Sequence, residues 1–591
     1  MKLNTAKASP ETLMIAAKKL IAKGQVFEAA DYLHEILRRD ERNHAAMFLL
    51  AGVYGSQEML DKAINFYLSA IKAAPEELSY KQGFVDFIGL RRAAWHSQPI
   101  DDALVSCLKE GQRLDFSRLQ SYWFDHITTH PAFHAAIGLK DLKPFDPANK
   151  AHFEKLSDYA PLFTPCFLLG VKNFIVYKPQ FEEFITHARG ELLAGRFTPE
   201  ETLALADAIA HYSFNTDFIL DITDEEQKKV DALRARLEGG QGEARDVALF
   251  ACYAPLYALK NADDILRAFS SAPSLGDILQ TQIADYNRLK GIAASVPAAT
   301  PIDAASGHVQ EQYEEFPYPR WNAFSLAAWA RGWDVVIGDQ DIAEFRRRKL
   351  KILNAGCGTG SEAVSLASLF PRSQVLAVDL SRASLAYATV KAEEYGLENV
   401  TFRHADILNL GALDEKFDYI SSVGVLHHMK NPVAGWRVLC DLLRPNGLMT
   451  IGLYSKIARA DVIKTQDIAR DMGYTGTADS MKSFRRKSPH ILDEAMLKNV
   501  SFFTDYYSLS MYRDLLFHVQ EHDYDLPEIA GILKELNLEF IGFERDSVLM
   551  DAYARRFPGD PAMTNLGNWD ILEHEKPEAF KFMYVFWCRK R

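Results

Sequence analysis

The amino-acid sequence predicts an α/β domain in the C-terminal half of the chain and an all-α region before it. Strand-like apolar segments alternate with helix-like segments from residue 350 onwards, and a glycine-rich loop joins the first strand to the first helix. The first part of the chain repeats with a period of about 34 residues, which is typical of paired helices. With 591 residues, the chain is long enough for several domains.

The glycine-rich loop is the most informative segment. The predicted strand Lys351–Ala355 opens into glycines at alternate positions, Gly356, Gly358 and Gly360. A strand that turns through glycine into a helix presents backbone N–H groups and a helix N-terminus to a ligand. Asp379 ends the next strand, about twenty residues on, where a carboxylate can hold a ribose diol. The pattern therefore indicates an adenosine-type cofactor.

The spacing of the glycines separates two classes of cofactor. NAD-binding loops follow G-x-G-x-x-G, whereas this loop reads G-x-G-x-G. The tighter spacing, with the polar Asn354 before it, resembles motif I of class I S-adenosylmethionine (SAM)-dependent methyltransferases. Asn354 replaces the family's usual acidic residue with an uncharged amide. An NAD-binding domain, or a degenerate domain that binds nothing, is the alternative that this spacing disfavours.

Later segments continue the resemblance in the family's order. Further strands are predicted at residues 400–404, 417–423, 448–453, 538–543 and 582–588. The segment from Gly424 to Met429, with its Leu-His-His-Met, closely resembles the family's sequence after the fourth strand. Residues from about 305 to 591 thus resemble a Rossmann-like, seven-stranded methyltransferase domain. An insert at about 455–527 is expected to hold substrate contacts or to cap the domain.

The resemblance assigns roles to the matching positions. In the family, the glycine loop lets the backbone approach SAM, the acid after the second strand holds the ribose, and residues after the third strand contact the adenine. The end of the fourth strand lines the path to the sulfur, and Cys357 would be a small side chain under the cofactor. The predicted cofactor residues are Asn354, Gly356, Cys357, Gly358, Gly360, Asp379, Leu380, Asp406, Ile407, Val423 and Gly424.

Two histidines are candidates for a catalytic base. Methyl transfer is an in-line displacement, in which the protein positions the nucleophile and sometimes removes its proton. His427 and His428 directly follow the fourth strand, and histidine has a suitable intrinsic pKa. Because the family has this pair with many substrates, a structural role is the alternative. No D/N-P-P-Y motif follows the fourth strand, which argues against amide or adenine N-methylation.

A stiff aromatic segment precedes the α/β domain. Residues 312–321 contain two prolines, an arginine and several aromatic side chains. The family places a lid over the cofactor here, so Tyr313, Tyr318 and Arg320 are candidates for closing the pocket. Arg320 could pair with the carboxylate of the methionine moiety. The alternative is a rigid turn that joins two domains.

The N-terminal half reads as helical throughout. Residues 1–112 fit a tetratricopeptide-like frame, in which Ala29 and Ala63 lie 34 residues apart. Residues 113–300 form an all-helical middle region, and this half resembles bacterial proteins that join tetratricopeptide repeats to a methyltransferase. Stacked helical pairs either bind a protein or peptide or brace the rest of the chain, and both remain open.

Composition limits the remaining possibilities. The net charge of −12 argues against nucleic-acid binding. The six cysteines form no C-x-x-C pair and the histidines of the helical region show no ligand spacing, so no metal site is indicated. The start of the chain lacks a signal-peptide pattern, no membrane span is expected, and a reducing cytoplasm is the simplest location.

Three functions are compatible with these patterns. The first is a SAM-dependent methyltransferase whose helical half docks a protein substrate. The second is a methyltransferase of small molecules with the repeats as an assembly scaffold. The third is a scaffold protein with an inactive methyltransferase fold, which the intact loop and Asp379 disfavour.

Overall fold

The structure is a computed structural model that describes residues 8–92, 96–114, 116–315, 317, 321, 333, 344–545 and 547–591. It divides into two compact units, Met1–Tyr212 and Ser213–Arg591. The domain limits that we predict from the sequence, at residues 112, 300 and 305, stay predictions.

The first unit begins with two helical pairs. They are α1 (Pro10–Ile21), α2 (Val26–Arg39), α3 (His44–Ser56) and α4 (Leu60–Ala73). The side chains of Ser9 and Asn43 cap α1 and α3 by accepting backbone N–H bonds. Ala29 and Ala63, equivalent in the 34-residue frame, are both fully buried, so that small residues allow the paired helices to pack closely.

The remaining helices of the first unit continue the all-α architecture. They are α5 (Leu78–Ile88), α6 (Gln98–Leu108), α7 (Phe116–Thr129), α8 (Pro131–Ala136), α9 (Ala148–Phe153), α10 (Pro165–Asn173), α11 (Pro179–Leu193) and α12 (Pro199–Asn215), the last of which crosses into the second unit. Across the described ranges, every helix is too short or too polar to span a lipid bilayer.

The second unit has helices before its sheet. They are α13 (Asp224–Glu238), α14 (Ala244–Ala251), α15 (Ala262–Phe269), α16 (Gly276–Leu279), α17 (Asp285–Ser295) and α18 (Gly307–Glu315). Helix α17 packs against the helix Arg382–Glu394, where the guanidinium of Arg288 pairs with the carboxylate of Glu393 at 2.5 Å. Helix α18 carries Tyr313 towards the candidate site.

A seven-stranded sheet organises the second unit. Its strands are β1 (Lys351–Ala355), β2 (Gln374–Asp379), β3 (Val400–His404), β4 (Phe417–Val423), β5 (Leu443–Leu453), β6 (Leu538–Phe543) and β7 (Tyr584–Lys590). The spatial order is β3-β2-β1-β4-β5-β7-β6, with β7 antiparallel to both of its neighbours and the other pairs parallel. This confirms the predicted fold class, a Rossmann-like seven-stranded sheet preceded by helices.

The central strands are buried on both faces, which explains their nearly continuous apolar sequence. Successive side chains of a strand point to opposite faces. Leu353 of β1 packs in one core with Ile420 and Ile451, whereas its neighbour Ile352 packs in another with Trp587. The carboxyl ends of β1, β2 and β4 are thereby fixed side by side.

Helices cover the sheet and form the insert. Those that follow β1, β2 and β4 are α19 (Ser361–Leu369), α20 (Arg382–Glu394) and α21 (Pro432–Leu442). The insert contains α22 (Ala460–Asp471), α23 (Ala478–Ile491), α24 (Glu494–Ser501) and α25 (Leu509–Leu516), and the later helices are α26 (Leu526–Glu535), α27 (Ser547–Arg556) and α28 (Leu566–Glu575). The segment between β5 and α26 thus covers most of the predicted insert, whose limits at about 455 and 527 stay predictions.

Candidate active site

The glycine loop after β1 forces the backbone into the left-handed region. The φ angles of Gly356, Gly358 and Gly360 are 77°, 50° and 85°. A Cβ atom at Gly356 would lie 2.4 Å from a methyl carbon of Val425, and one at Gly360 would lie 2.5 Å from the Cβ of Ala388. Glycine is thus needed here both for the conformation and for the close packing of the loop.

Replacing Gly360 with alanine should destabilise the protein by about 2–5 kcal/mol. A left-handed φ costs other residues roughly 1–2 kcal/mol, and a forced contact in a packed region adds about 1–3 kcal/mol. Urea unfolding measures the loss. Gly396→Ala is the matched control, because Gly396 has a φ of 63° but no atom lies within 4 Å of its added Cβ, so about 1–2 kcal/mol is expected. Equal losses in the two variants would contradict the packing argument.

Asp379, at the end of β2, is bonded to the glycine loop. One carboxylate oxygen accepts the N–H of Gly358 at 2.8 Å and the other accepts the N–H of Ser381 at 2.8 Å. Burial raises the pKa of Asp379 to about 6 in spite of these hydrogen bonds. Each oxygen keeps a lone pair for a further donor, so the carboxylate can hold ribose hydroxyls while it fixes the loop.

A cavity of about 360 Å³ opens beside the loop and brings most of the predicted cofactor residues together. The predicted residues that line it are Gly356, Cys357, Gly358, Asp379, Leu380, Asp406, Ile407, Val423 and Gly424. Asn354 and Gly360 are not in the lining. Asn354 is instead almost fully buried, and Gly360 forms the N-cap of α19.

The predicted adenine contact Asp406 is held by the backbone. Its two carboxylate oxygens accept the N–H groups of Leu408 at 2.9 Å and Asp303 at 3.0 Å. Its own N–H donates to the hydroxyl of Thr300 at 2.9 Å. These bonds orient the carboxylate without using all of its lone pairs, so that it can still accept an amino group.

Glu362 is a lining residue that the sequence patterns do not predict. It lies in the first turn of α19, and its carboxylate accepts the amide of Asn354 at 2.8 Å and the hydroxyl of Ser421. Burial raises the pKa of Glu362 to about 7. An acidic residue in a first helical turn was the available signal, although that pattern is common at helix N-termini without any ligand. Asn354 therefore positions a carboxylate next to the cavity.

The two candidate bases differ sharply. His428 lines the cavity, and its Nδ1 donates to the carbonyl of Gln520 at 3.1 Å, while the side-chain amide of Gln520 donates to the carbonyl of His428 at 3.2 Å. His427 is fully buried against Tyr454, with ring centroids 4.0 Å apart. Burial, together with the neighbouring His428, holds the pKa of His427 well below its usual range. Of the two, only His428 is among the cavity-lining residues.

One predicted lid residue also reaches the cavity. Tyr313 lines it, its carbonyl accepts the hydroxyl of Ser381 at 2.9 Å, and its phenol donates to Asp514 at 2.7 Å. At the end of the same segment, the indole N–H of Trp321 donates to the carbonyl of Thr359 at 3.0 Å. The other two lid candidates, Tyr318 and Arg320, lie outside the described residues.

A second cavity of about 570 Å³ adjoins the first. The insert forms most of it, and Lys430 is shared by the linings of both cavities. Its other lining residues are mostly polar, and several can carry charge. They are Gln466, Ala469, Arg470, Tyr474, Thr475, Gly476, Leu516, Phe517, His518, Val519, Gln520, Glu521 and His522.

Folding brings together two groups of potential metal ligands that their spacing in the sequence does not indicate. In the described residues, one group is His96, Asp101 and His130, and the other is His428, Asp514 and His518. Within each group the ligand atoms lie within 4.8 Å of one another. The members of each group come from segments that are distant in the sequence, since His130 follows Asp101 by about thirty residues and Asp514 follows His428 by more than eighty.

The sheet order, the glycine loop and the carboxylate at the end of β2 together define a class I SAM-dependent methyltransferase domain. Residues 346–494 match a family model described as a methyltransferase domain. The C-terminal half of the chain therefore contains a methyltransferase domain with a SAM-binding fold, as the sequence predicts.

The similar proteins share only parts of their length with this chain. An uncharacterized protein of Synechococcus is 28% identical over 273 residues, which are 42% of this chain and 62% of that protein. A ubiquinone biosynthesis O-methyltransferase of Dinoroseobacter shibae is 36% identical over 100 residues, 17% of this chain and 39% of that enzyme. The structure of PKMT2 from Rickettsia typhi with AdoHcy has a TM-score of 0.32 and 18% identity, covering 41% of this chain and 50% of that one. The chain thus spans less than two thirds of each of these relatives.

Proposed function

We propose that this enzyme transfers the methyl group of SAM to a side chain of a protein, and that the helical pairs bind this acceptor protein. The observation that carries the proposal is the second cavity. It adjoins the cofactor cavity, because Lys430 lines both. His518 and Gln520 line the second cavity and contact His428, which lines the cofactor cavity. A cavity of about 570 Å³ offers room for a long side chain beside the methyl group.

The helical pairs support a protein rather than a metabolite as acceptor. Helices α1 to α4 form two pairs, and the small residues Ala17, Ala29, Ala51 and Ala63 on them are fully buried. Stacked pairs of this kind commonly present a surface that binds peptides. We therefore infer that residues 10–73 contribute to acceptor binding.

A labelling experiment tests the acceptor class. The protein is incubated with methyl-labelled SAM and a lysate of its source cell, with Asp379→Ala as the control. We expect a discrete labelled protein band that is absent with the variant. New labelled products that are all small molecules other than SAM would overturn the proposal of a protein acceptor.

A small-molecule acceptor is the second candidate. The relative from Dinoroseobacter is by its name an O-methyltransferase of ubiquinone biosynthesis, and its identity over 100 residues is higher than that of the longer match. In that case the helical pairs would serve as an assembly scaffold. The same labelling experiment distinguishes the two candidates by the fraction that carries the label.

Within the cofactor site, we propose that Asp379 holds the ribose and that Glu362 takes the ammonium of the methionine moiety. The family's acidic position is Asn354 here, and Asn354 donates to Glu362 at 2.8 Å. The chain thus keeps a carboxylate at this end of the cavity, eight residues further along. The remaining predicted residues keep the roles that the resemblance implies.

This assignment predicts a pH-dependent affinity for S-adenosylhomocysteine (SAH). An ammonium group prefers the ionised carboxylate, whereas the free protein binds a proton at Glu362 below its pKa of about 7. Affinity should therefore be highest above pH 7 and fall as the pH drops through 7, by up to about tenfold per pH unit. Below pH 6, Asp379 should add to the loss, because its pKa is about 6. Isothermal titration calorimetry between pH 5.5 and 8.5 measures the profile.

Glu362→Gln is the matched variant for this profile. It keeps the side-chain shape and an acceptor oxygen for Ser421 but cannot ionise. SAH binding should be weaker than in the wild type at pH 8 and nearly independent of pH between 6.5 and 8.5. A variant with the wild-type profile would exclude Glu362 as the ammonium contact.

A further inference from the structure

A buried polar cluster borders both the cofactor cavity and the second cavity. It consists of His428, Tyr313, Asp514 and His518, which come from the end of the fourth strand, α18, α25 and the segment after α25. Tyr313 and His428 face the cofactor cavity, and His518 faces the second one. Asp514 lies behind them and is 2% exposed.

The hydrogen bonds of the cluster have a defined direction. The N–H of Gln520 donates to Nδ1 of His518 at 3.0 Å, so a neutral His518 carries its proton on Nε2. That Nε2 lies 3.2 Å from the phenol oxygen of Tyr313, which in turn donates to Asp514 at 2.7 Å. Burial holds the pKa of His518 well below and that of Tyr313 well above their usual ranges, which keeps both groups neutral. The chain of donors therefore ends on the carboxylate of Asp514.

His428 is oriented as a proton acceptor. Because its Nδ1 donates to the carbonyl of Gln520, the lone pair of its neutral ring is on Nε2. Its ring stacks on that of His518 with centroids 3.7 Å apart. A ring nitrogen of His428 and a carboxylate oxygen of Asp514 lie within 4.8 Å of each other. A carboxylate at such a distance is close enough to interact with a positive charge that forms on this ring.

His428, Asp514 and His518 have the spacing of a metal site, but the hydrogen bonds of His518 do not fit a bound metal ion. A metal ion at Nε2 would require the proton of the neutral ring to lie on Nδ1. Nδ1 accepts the N–H of Gln520, so a proton there would face another donor. The cluster is thus better suited to move and stabilise a proton than to ligate an ion.

We propose that Asp514 is the positioning residue of a proton-accepting unit in which His428 is the base. This inference rests on the proposed methyl transfer. The acceptor atom, an oxygen or nitrogen that carries a proton, attacks the methyl carbon, and the bonding electrons of the breaking S–C bond stay on the sulfur. The acceptor's proton passes to Nε2 of His428. Asp514, held by Tyr313, stabilises the resulting imidazolium, which later releases the proton to water.

The proposal limits the acceptor chemistry. A base is useful only if the nucleophile carries a proton, as a hydroxyl or a primary or secondary amine does. Thioethers and tertiary amines would gain nothing from it. Burial raises the pKa of Asp514, and the nearby acids Asp505 and Glu521 raise it further, whereas the charge of His428 and the hydrogen bond from Tyr313 lower it.

The test compares the rates at which Asp514→Asn and the wild type methylate the lysate protein that the labelling experiment identifies. Asparagine keeps the shape and the bond from Tyr313 but loses the charge. Turnover at saturating acceptor should fall by about tenfold or more, whereas KM for the acceptor and SAH affinity should change by less than about twofold. Asp514→Glu should recover part of the turnover. Equal loss of SAH affinity and turnover, without recovery in Asp514→Glu, would reduce Asp514 to a structural residue and overturn the proposal.

The same assay distinguishes a failure of this inference from a failure of the proposed function. If the wild type transfers label to small molecules and to no protein, the proposed protein acceptor is wrong. If the wild type labels a protein and Asp514→Asn labels it at the same rate, the role of Asp514 is wrong and the proposed function is unaffected.

Discussion

Replacing Asp379 with alanine should weaken SAH binding by about a hundredfold or more. The carboxylate makes two bonds to backbone N–H groups, at Gly358 and Ser381, and has further lone pairs for the ribose. Hydrogen bonds to a charged group contribute about 1.5–3 kcal/mol each, so the loss of about 3 kcal/mol corresponds to a factor above one hundred. Calorimetric titration with SAH measures the change.

The large effect has two sources, which a second variant separates. Asp379→Asn keeps the size of the side chain and one acceptor oxygen, so that one of the two backbone bonds survives. Its SAH affinity should lie between those of the wild type and of Asp379→Ala. Asp414→Ala, at an exposed acidic position on the same domain, should bind SAH as the wild type does. Wild-type affinity in Asp379→Ala would remove this residue from the cofactor site.

The sheet could be predicted almost residue by residue, because strands buried on both faces leave a strong apolar signal. The predicted strands 400–404, 417–423 and 538–543 coincide with β3, β4 and β6. Strand β5 begins at Leu443 rather than at residue 448. Its register against β4 shifts, since Leu443 pairs with Phe417 and Leu448 with Tyr419, so residues 444–447 form an irregularity within one strand.

That the candidate cofactor residues lie together was predictable for a different reason. Its residues directly follow strands in the sequence, and parallel strands bring their carboxyl ends to one edge of the sheet. The acceptor half has no such regularity. Tyr313 lies 201 residues from Asp514 and 205 from His518, and only the folded insert brings them together. A stretch of aromatic and polar residues in the insert fits a substrate wall and a packed cap equally well.

The paired histidines show what the three-dimensional structure adds. In the sequence, His427 and His428 are equivalent candidates, because both directly follow the fourth strand. In the structure, one side chain is buried against Tyr454 and the other faces the cofactor cavity. Their different surroundings give two substitutions with opposite expected effects.

His428→Gln should lower turnover on the labelled acceptor by about 10²–10⁴-fold, which is the usual contribution of a general base. SAH affinity should stay within about twofold, because the residues proposed to contact the ribose and the ammonium are unchanged. His427→Gln should have the reverse profile. A buried glutamine beside Tyr454 is expected to reduce the free energy of unfolding by about 1–3 kcal/mol, with turnover of the folded enzyme nearly unchanged.

Measuring turnover and urea unfolding on both variants decides the assignment. If His427→Gln loses turnover while His428→Gln keeps it, the base is wrongly assigned and the cluster with Asp514 has no proton to receive. If neither variant loses turnover, the acceptor needs no base, as expected for a nucleophile that is already deprotonated. Loss at His428 and not at His427, together with the loss expected in Asp514→Asn, would link the buried carboxylate of the insert to chemistry after β4. The insert would then be part of the catalytic machinery rather than only a cap.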